Sequence, residues 1–596
     1  MFRLRTQASN STQFPANSGE QASWLVDLLL FLFLAALLFG VVEFGMQWLS
    51  PAEPMRQKPL VIDLSPWALP VYSLKSLARG FLAYLFSLLF TLVYGSIAAK
   101  RPRAERVMIP ILDILQGIPV LGFLPGLVLG LVALFPRSNF GLELACIIMI
   151  FTGQAWNMTY SFYGSVRSVP VELREVARLH NFGVFKTFRT VEAPFSMIGL
   201  VMNSMMSMAG GWFFLTTTEA FRLGDKDFRL PGIGSYMSMA IDTGDRAAQL
   251  YAVIAMGLMI VATDWLLWRP LSVWSERFKS EEIAGEREES FILSLLHRSR
   301  LLAKLRALLR SRQSGSVRRK LAEVQKDEGV SIGASAHALQ PRWERWLPTA
   351  GWVAAVVFSG LAFLGGVKLI GLISHLTLSD WSSVLMALFG TFARTTTAVL
   401  LGALWTVPAG IVIGRSRKLS RKLSAAVQVI ASFPAPMLFP LVTMGVLWLG
   451  IDFKYGCTVL MMLGSQWYIL FNVIAGAQGM PGDLREIAKM YGIKGWALWR
   501  TLYLPAIFPS LVTGLVTAAG GAWNASIVAE FVHFKDQTLV APGLGSLITK
   551  ATEEANFPLL CAGVMTMSFA LVLINRVFWK RLYAKAVSRY MLTGKS

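Results

Sequence analysis

Cysteine is almost missing from this chain: three residues in 596, at 146, 457 and 561. None has CxxC or Cys/His spacing, which excludes a disulfide framework and a zinc site. The five histidines are scattered and form no catalytic cluster. No Gly-x-x-x-x-Gly-Lys-Ser/Thr loop is present, so the chain cannot cradle nucleotide phosphates in that way. Neither a Gly-x-Ser-x-Gly elbow nor a His-Glu-x-x-His helix occurs. No metal site and no catalytic residue is expected. Acidic residues are scarce, 35 against 56 Lys and Arg, but no nucleic-acid motif accompanies the +21 net charge.

What the chain has is apolar length. Hydrophobic residues make up 54% and charged residues only 15%, the balance of an integral membrane protein. A helical crossing needs about 20 largely apolar residues. Twelve stretches meet that need, near 24–46, 72–98, 107–135, 141–163, 194–217 and 248–270, then 348–374, 384–413, 424–449, 454–476, 506–529 and 556–579. The apolar runs are continuous, which argues for helices over a strand barrel. The expected fold is therefore all-α, with about twelve membrane helices. Lys and Arg set orientation. The basic loops 100–106 and 415–422 fall on one side with both termini, and that side reads as cytoplasm. The polar segment 1–23 is a cytoplasmic tail and the first span a retained anchor, with no small-residue cleavage site; residues 586–596 form the other tail.

The sequence repeats itself. Trp156 matches Trp467, Pro170 matches Pro481, Trp212 matches Trp523 and Glu219 matches Glu530, all 311 positions apart. Pro231-Gly-Ile-Gly-Ser235 matches Pro542-Gly-Leu-Gly-Ser546 at the same offset. Upstream, Arg79 matches Arg394 and Pro119 matches Pro434 at an offset of 315. Register held over such length means duplication. Each half carries six spans in one direction, so the repeats are parallel, related by an axis along the membrane normal with a pathway on it. The halves are 24–276 and 346–585, joined by a basic cytoplasmic linker, 277–345. From His297 to Lys320 the linker holds nine Lys and Arg and no acid. Leucines at helical spacing suggest an amphipathic helix on anionic lipid, with a regulatory or ATPase-contacting role as the alternative.

One repeated segment carries the mechanism. Glu172-Leu-Arg-Glu175-Val-Ala177-Arg leads to Pro194, and Asp483-Leu-Arg-Glu486-Ile-Ala488-Lys leads to Pro505; the prolines lie nineteen residues after Glu175 and Glu486. The pattern predicts a helix, a break at Asn181 or Gly492 and a second short helix stopped by the proline. Gly accepts the left-handed conformation that ends a helix, and Asn tolerates it next best. Gly183 adds flexibility in the first copy. This elbow resembles the Glu-Ala-Ala motif of permease subunits of binding-protein-dependent ABC importers: Glu486, Ala488, Gly492 and Pro505 fit in place. Glu175, Ala177 and Pro194 fit in the first copy, where Asn181 replaces the glycine. The surrounding stretches look most like the nitrate, sulfonate, taurine and bicarbonate branch.

That resemblance implies a type I importer permease fold with both permease halves in one chain. It also implies coupling helices at 172–194 and 483–505 docking on two cytoplasmic ABC ATPases, which hold ATP and Mg, and an extracytoplasmic solute-binding protein. A bacterial inner membrane and a small solute, an anion such as nitrate, sulfonate or bicarbonate, are further expectations. The chain itself is not expected to be an enzyme, to hold a cofactor or to bind nucleic acid. Candidate path residues are Arg79 and Arg394, which draw an anion if they face the axis and anchor the helix if they snorkel. Glu219 and Glu530, with Trp212 and Trp523, either close a gate or bond backbone at a broken helix end. The rival reading, an ion-gradient-driven transporter, predicts inverted repeats and mid-span charges, and the sequence has neither.

Overall fold

The computed structural model describes residues 62–278, 360 and 365–590, apart from 118, 137, 224, 225, 535 and 536. They lie in one compact unit, Gly40–Ile283 with Leu347–Ser596. The first expected span, most of 348–374, nearly all of the basic linker and the tails at 1–23 and 591–596 lie outside the described residues.

The first half runs through α1 (Leu69–Lys100), α2 (Pro102–Gly117), α3 (Leu124–Leu134) and α4 (Phe140–Arg167). It continues with the short α5 (Val171–Leu179), α6 (Ala193–Glu219), α7 (Ile233–Asp242) and α8 (Arg246–Thr263). The second half repeats the order as α9 (Leu378–Arg415), α10 (Arg417–Ser432), α11 (Ala435–Trp448) and α12 (Phe453–Gln478). Then come α13 (Gly482–Met490), α14 (Leu504–Ala529), α15 (Leu544–Glu553), α16 (Phe557–Ile574) and α17 (Lys580–Tyr590). Antiparallel two-stranded hairpins, Arg222–Leu223 with Lys226–Asp227 and Phe531–Phe534 with Gln537–Val540, follow α6 and α14.

Each half is built on three helices, α1, α4 and α6 or α9, α12 and α14. Lipid is as apolar as leucine, so such helices associate by close packing of small residues. Along α1 the buried face reads Ser76, Arg79, Gly80, Ala83, Ser87, Thr91, Gly95 and Ala98. A Cβ at Gly95 would stand 2.7 Å from the Phe162 ring of α4. Thr91 and Thr159 hydroxyls hydrogen-bond across the same seam at 3.1 Å. On α9, a Cβ at Gly410 would stand 2.7 Å from Val473 of α12. The two seams match.

Eight helices among the described residues are long and apolar enough to cross a membrane, or nine if one bent pair forms a single span. The count of twelve is not confirmed by these residues, which leave out the expected spans near 24–46 and most of 348–374, but the third span of each half is corrected. Instead of one helix over 424–449, the chain turns by 85° between Ala426–Ser432 and Ala435–Trp448. Its counterpart breaks between α2 and Val120. Proline accounts for both breaks: Pro119 and Pro434 donate no N–H, and Phe433, just before Pro434, is extended with φ −71° and ψ 125°.

A second correction concerns the prolines after the elbows. The helix does not stop there: Val184–Glu219 and Gly495–Ala529 each run on as one span. Both pass through a π-helical turn, Phe188–Glu192 or Trp499–Tyr503, immediately before Pro194 or Pro505. The wider turn absorbs the missing N–H that would otherwise break an α-helix. A second pair of π-turns, Asp264–Trp268 and Asn575–Trp579, also falls 311 residues apart. Rare local geometry is duplicated along with the sequence.

Candidate functional site

The repeated segments form matching elbows. Asn181 has φ +49° and Gly492 φ +65°, both left-handed. At each break the N–H three residues beyond the helix bonds back to the buried alanine: Phe182 to Ala177 and Ile493 to Ala488, both at 2.9 Å. These are equivalent C-caps, so asparagine supports the same turn as glycine. Ala177 and Ala488 are the buried residues of α5 and α13, while Glu175 and Glu486 are exposed. Around them apolar side chains stand in the open, including Leu179 at 81%, Phe185 at 75%, Met490 at 84% and Trp496 at 74%. Gly183 opens the turn into the following helix with an ordinary extended backbone.

Arginines one residue before those glutamates hold the elbows in place. Arg174 donates to the Val166 carbonyl at 2.6 Å and the Arg167 carbonyl at 3.2 Å, both at the end of α4. Arg485 donates to Ala477 of α12 at 2.9 Å and to Arg415, the last residue of α9, at 3.0 Å. Helix ends leave carbonyls without partners, and a cation there is favourable. Neither arginine was singled out from the sequence.

At the opposite end of the bundle, Arg79 and Arg394 line no part of the central cavity described below. Arg79 is fully buried and pairs with Glu143 and Glu219 at 2.7 Å each. It also donates to the Pro231 carbonyl at 2.9 Å. Arg394 pairs with Glu530 at 2.7 Å and donates to Pro542. The expectation that these arginines meet an anion gives way to a structural reading. Their charge is spent on carboxylates that tie α1 to α7 and α9 to α15.

The glutamates complete the knot. Glu219 accepts from Ser76 and from the Gly234 N–H at 2.9 Å; Glu530 accepts from Thr391 and from Gly545 at 2.8 Å. This is the backbone-bonding alternative for both acids. It also explains the Pro-Gly-x-Gly-Ser stretches. A Cβ would stand 2.3 Å from the carboxylate at Gly232 or Gly543, and 2.4 or 2.3 Å from a carbonyl oxygen at Gly234 or Gly545. Gly545→Ala is therefore expected to destabilise the chain by about 1–3 kcal/mol, the usual cost of overpacking, read as a lowered unfolding midpoint in detergent. A parent-like midpoint would show that α14 and α15 can separate. Nearby, His533 bonds to Glu553 at 2.9 Å, and that carboxylate holds its imidazole above the usual range.

Between the halves lies a cavity of about 220 Å³. The repeat-related Trp156 and Trp467 line it, with Phe213, Tyr468, Trp523 and Asn524. Both helix breaks reach it, through Val120 and through Phe433 and Pro434. Asn524 of one half accepts the Val120 N–H of the other at 3.0 Å. Tyr468 fills the gap between the fifth spans, its hydroxyl 3.3 Å from where a Cβ on Gly210 would stand. Of the expected path residues Trp523 lines this cavity, and Trp212 is buried against α1 beside Gly80. Among the described residues, no group of three or more His, Cys, Asp or Glu forms a metal site.

Two matched elbows at one end, two sealed knots at the other and a central cavity agree with the comparison to known proteins. The model of the family "binding-protein-dependent transport system inner membrane component" matches twice, over residues 91–267 and 406–579. The chain belongs to this family. It is 26% identical over 183 residues to a putative ABC transporter permease of Methanocaldococcus jannaschii, covering 31% of this chain and 65% of that one. It is 33% identical over 138 residues to a putative aliphatic sulfonates transport permease of Escherichia coli, covering 23% and 49%. A carnitine transport permease of Listeria monocytogenes is 26% identical over 177 residues, covering 30% and 70%. The chain thus spans between about half and 70% of these relatives' lengths. It is a multi-pass ABC permease carrying two permease domains, one per repeat.

Proposed function

We propose that this permease forms the complete membrane path of an ATP-driven importer for a small solute. It would sit in a bacterial inner membrane with both elbows facing the cytoplasm. Two cytoplasmic ABC ATPases dock on α5 and α13, and an extracytoplasmic binding protein delivers the solute to the end that carries the Arg–Glu knots. The observation that carries this reading is the pair of exposed elbows with identical caps, each presenting a glutamate among uncovered apolar side chains. Such faces suit a protein partner. ATP and Mg belong on that partner, since the chain has no phosphate loop.

Kinship does not choose the solute, because the named substrates of the relatives, sulfonates and carnitine, differ in charge. The anion expectation came from the resemblance, and the two arginines offered as candidates to meet an anion, Arg79 and Arg394, have their charge committed to glutamates. The coupling role is tested by purifying the chain from its native membrane with whatever ATPase accompanies it. The parent is expected to bring an active ATPase, and the Glu175→Lys/Glu486→Lys double variant to lose it. An unchanged complex and unchanged transport in the double variant would sink the proposal.

A further inference from the structure

The cavity between the halves is chemically lopsided, and the asymmetry bears on what it carries. Nine of its 32 lining residues are aromatic, and Asp113 of α2 is the one charged residue among the described lining. No Lys, Arg or His lines it among those residues. The repeat equivalent of Asp113, 315 positions on, is the neutral Gln428, so Asp113 is the one carboxylate of the described lining. Tyr160 donates its hydroxyl to Asp113 Oδ1, and the equivalent of Tyr160 is Phe471. That bond holds one oxygen of the carboxylate. A carboxylate has about four acceptor positions, of which the tyrosine takes one.

Asp113 is exposed rather than sealed among protein groups, and it lines the cavity. Aromatic faces carry negative potential and attract cations, quaternary ammonium above all. A free anion entering this space would meet one carboxylate and several ring faces, with no cationic side chain in the described lining. At about 220 Å³ the space is of a size that suits a small molecule.

We infer that the cavity takes the positively charged nitrogen of a small organic ammonium solute, a quaternary or protonated amine or its zwitterion. Asp113 is the counter-charge, and Trp156, Trp467 and Trp523 are part of the aromatic wall. This rests on the importer reading for its direction and energy source, and deepens it by naming the solute class.

The test is calorimetric titration of the purified permease with its ATPases, using three probes: tetramethylammonium chloride, tert-butanol and sodium methanesulfonate. Tetramethylammonium is expected to bind saturably, with the neutral and anionic probes giving no saturable heat. Asp113→Asn is expected to weaken tetramethylammonium binding at least tenfold, and Asp113→Glu to retain most of it, which separates lost charge from lost fold. Saturable methanesulfonate binding, equal tert-butanol binding or an unchanged affinity in Asp113→Asn overturns the inference. ATP hydrolysis by the same preparation is read in parallel. A hydrolysing complex that ignores tetramethylammonium refutes the solute class alone. Absence of any ATPase refutes the importer reading, whatever the probe does.

Discussion

Arg79→Met is expected to lower the stability of the detergent-purified chain by about 3–5 kcal/mol, the cost of breaking a buried pair from one side. The magnitude follows from the geometry. Arg79 has no exposed surface and holds two carboxylates, Glu143 and Glu219, at 2.7 Å. Removing the guanidinium strands two acids and the Pro231 carbonyl it also serves. Arg394→Met is expected to cost less. Its side chain keeps 13% exposure and faces one carboxylate, Glu530, while Lys454 stands 311 positions after Glu143. The triple variant Arg79→Met/Glu143→Met/Glu219→Gln is expected to recover part of the loss, since replacing a whole buried charge cluster is far cheaper than orphaning half of it. Unfolding midpoints for the three variants decide the matter. Equal losses at Arg79 and Arg394 would contradict the accounting, as would a triple variant less stable than Arg79→Met.

That asymmetry shows where sequence reading reached its limit. The duplication was legible because side chains tied to backbone geometry recur in register: the Pro-Gly-x-Gly-Ser turns, the elbow residues and the prolines that break the third span. Asn181 was legible for the same reason, since few residues tolerate the conformation it adopts. Glu143 was missed because its partner lies 64 residues away and the other half has a lysine there. Asp113 was missed because one acid near the end of an apolar run looks like an interface residue until the fold turns it towards the cavity. The breaks at Pro119 and Pro434 hid in plain hydropathy, since both arms are apolar and a window averages across them. The arginines at 79 and 394 were found, but burial and partners, which sequence does not display, decide whether an ionisable residue faces a path or a glutamate.

The elbows lead to the second large effect, a separation of ATP hydrolysis from transport. Arg174→Ala/Arg485→Ala is expected to cut solute transport by tenfold or more while leaving the ATPases bound and hydrolysing. Both arginines lie on the inner side of the elbow, bonded to carbonyls at the ends of α4, α12 and α9, whereas Glu175, Glu486 and the exposed apolar residues face outward. Docking therefore survives the loss, but the lever is loosened. Each hydrogen bond from a charged donor contributes about 1.5–3 kcal/mol, and 1.4 kcal/mol is already about a tenfold shift in a two-state population. An elbow free to pivot dissipates the ATPase stroke before it reaches the π-turns at Phe188–Glu192 and Trp499–Tyr503 and the fifth spans that line the cavity. Proteoliposome uptake and ATP release, measured on one preparation, check this. Parallel loss of both activities would place the arginines in the docking face itself, and full uptake would mean that the caps at Asn181 and Gly492 alone keep the elbow rigid.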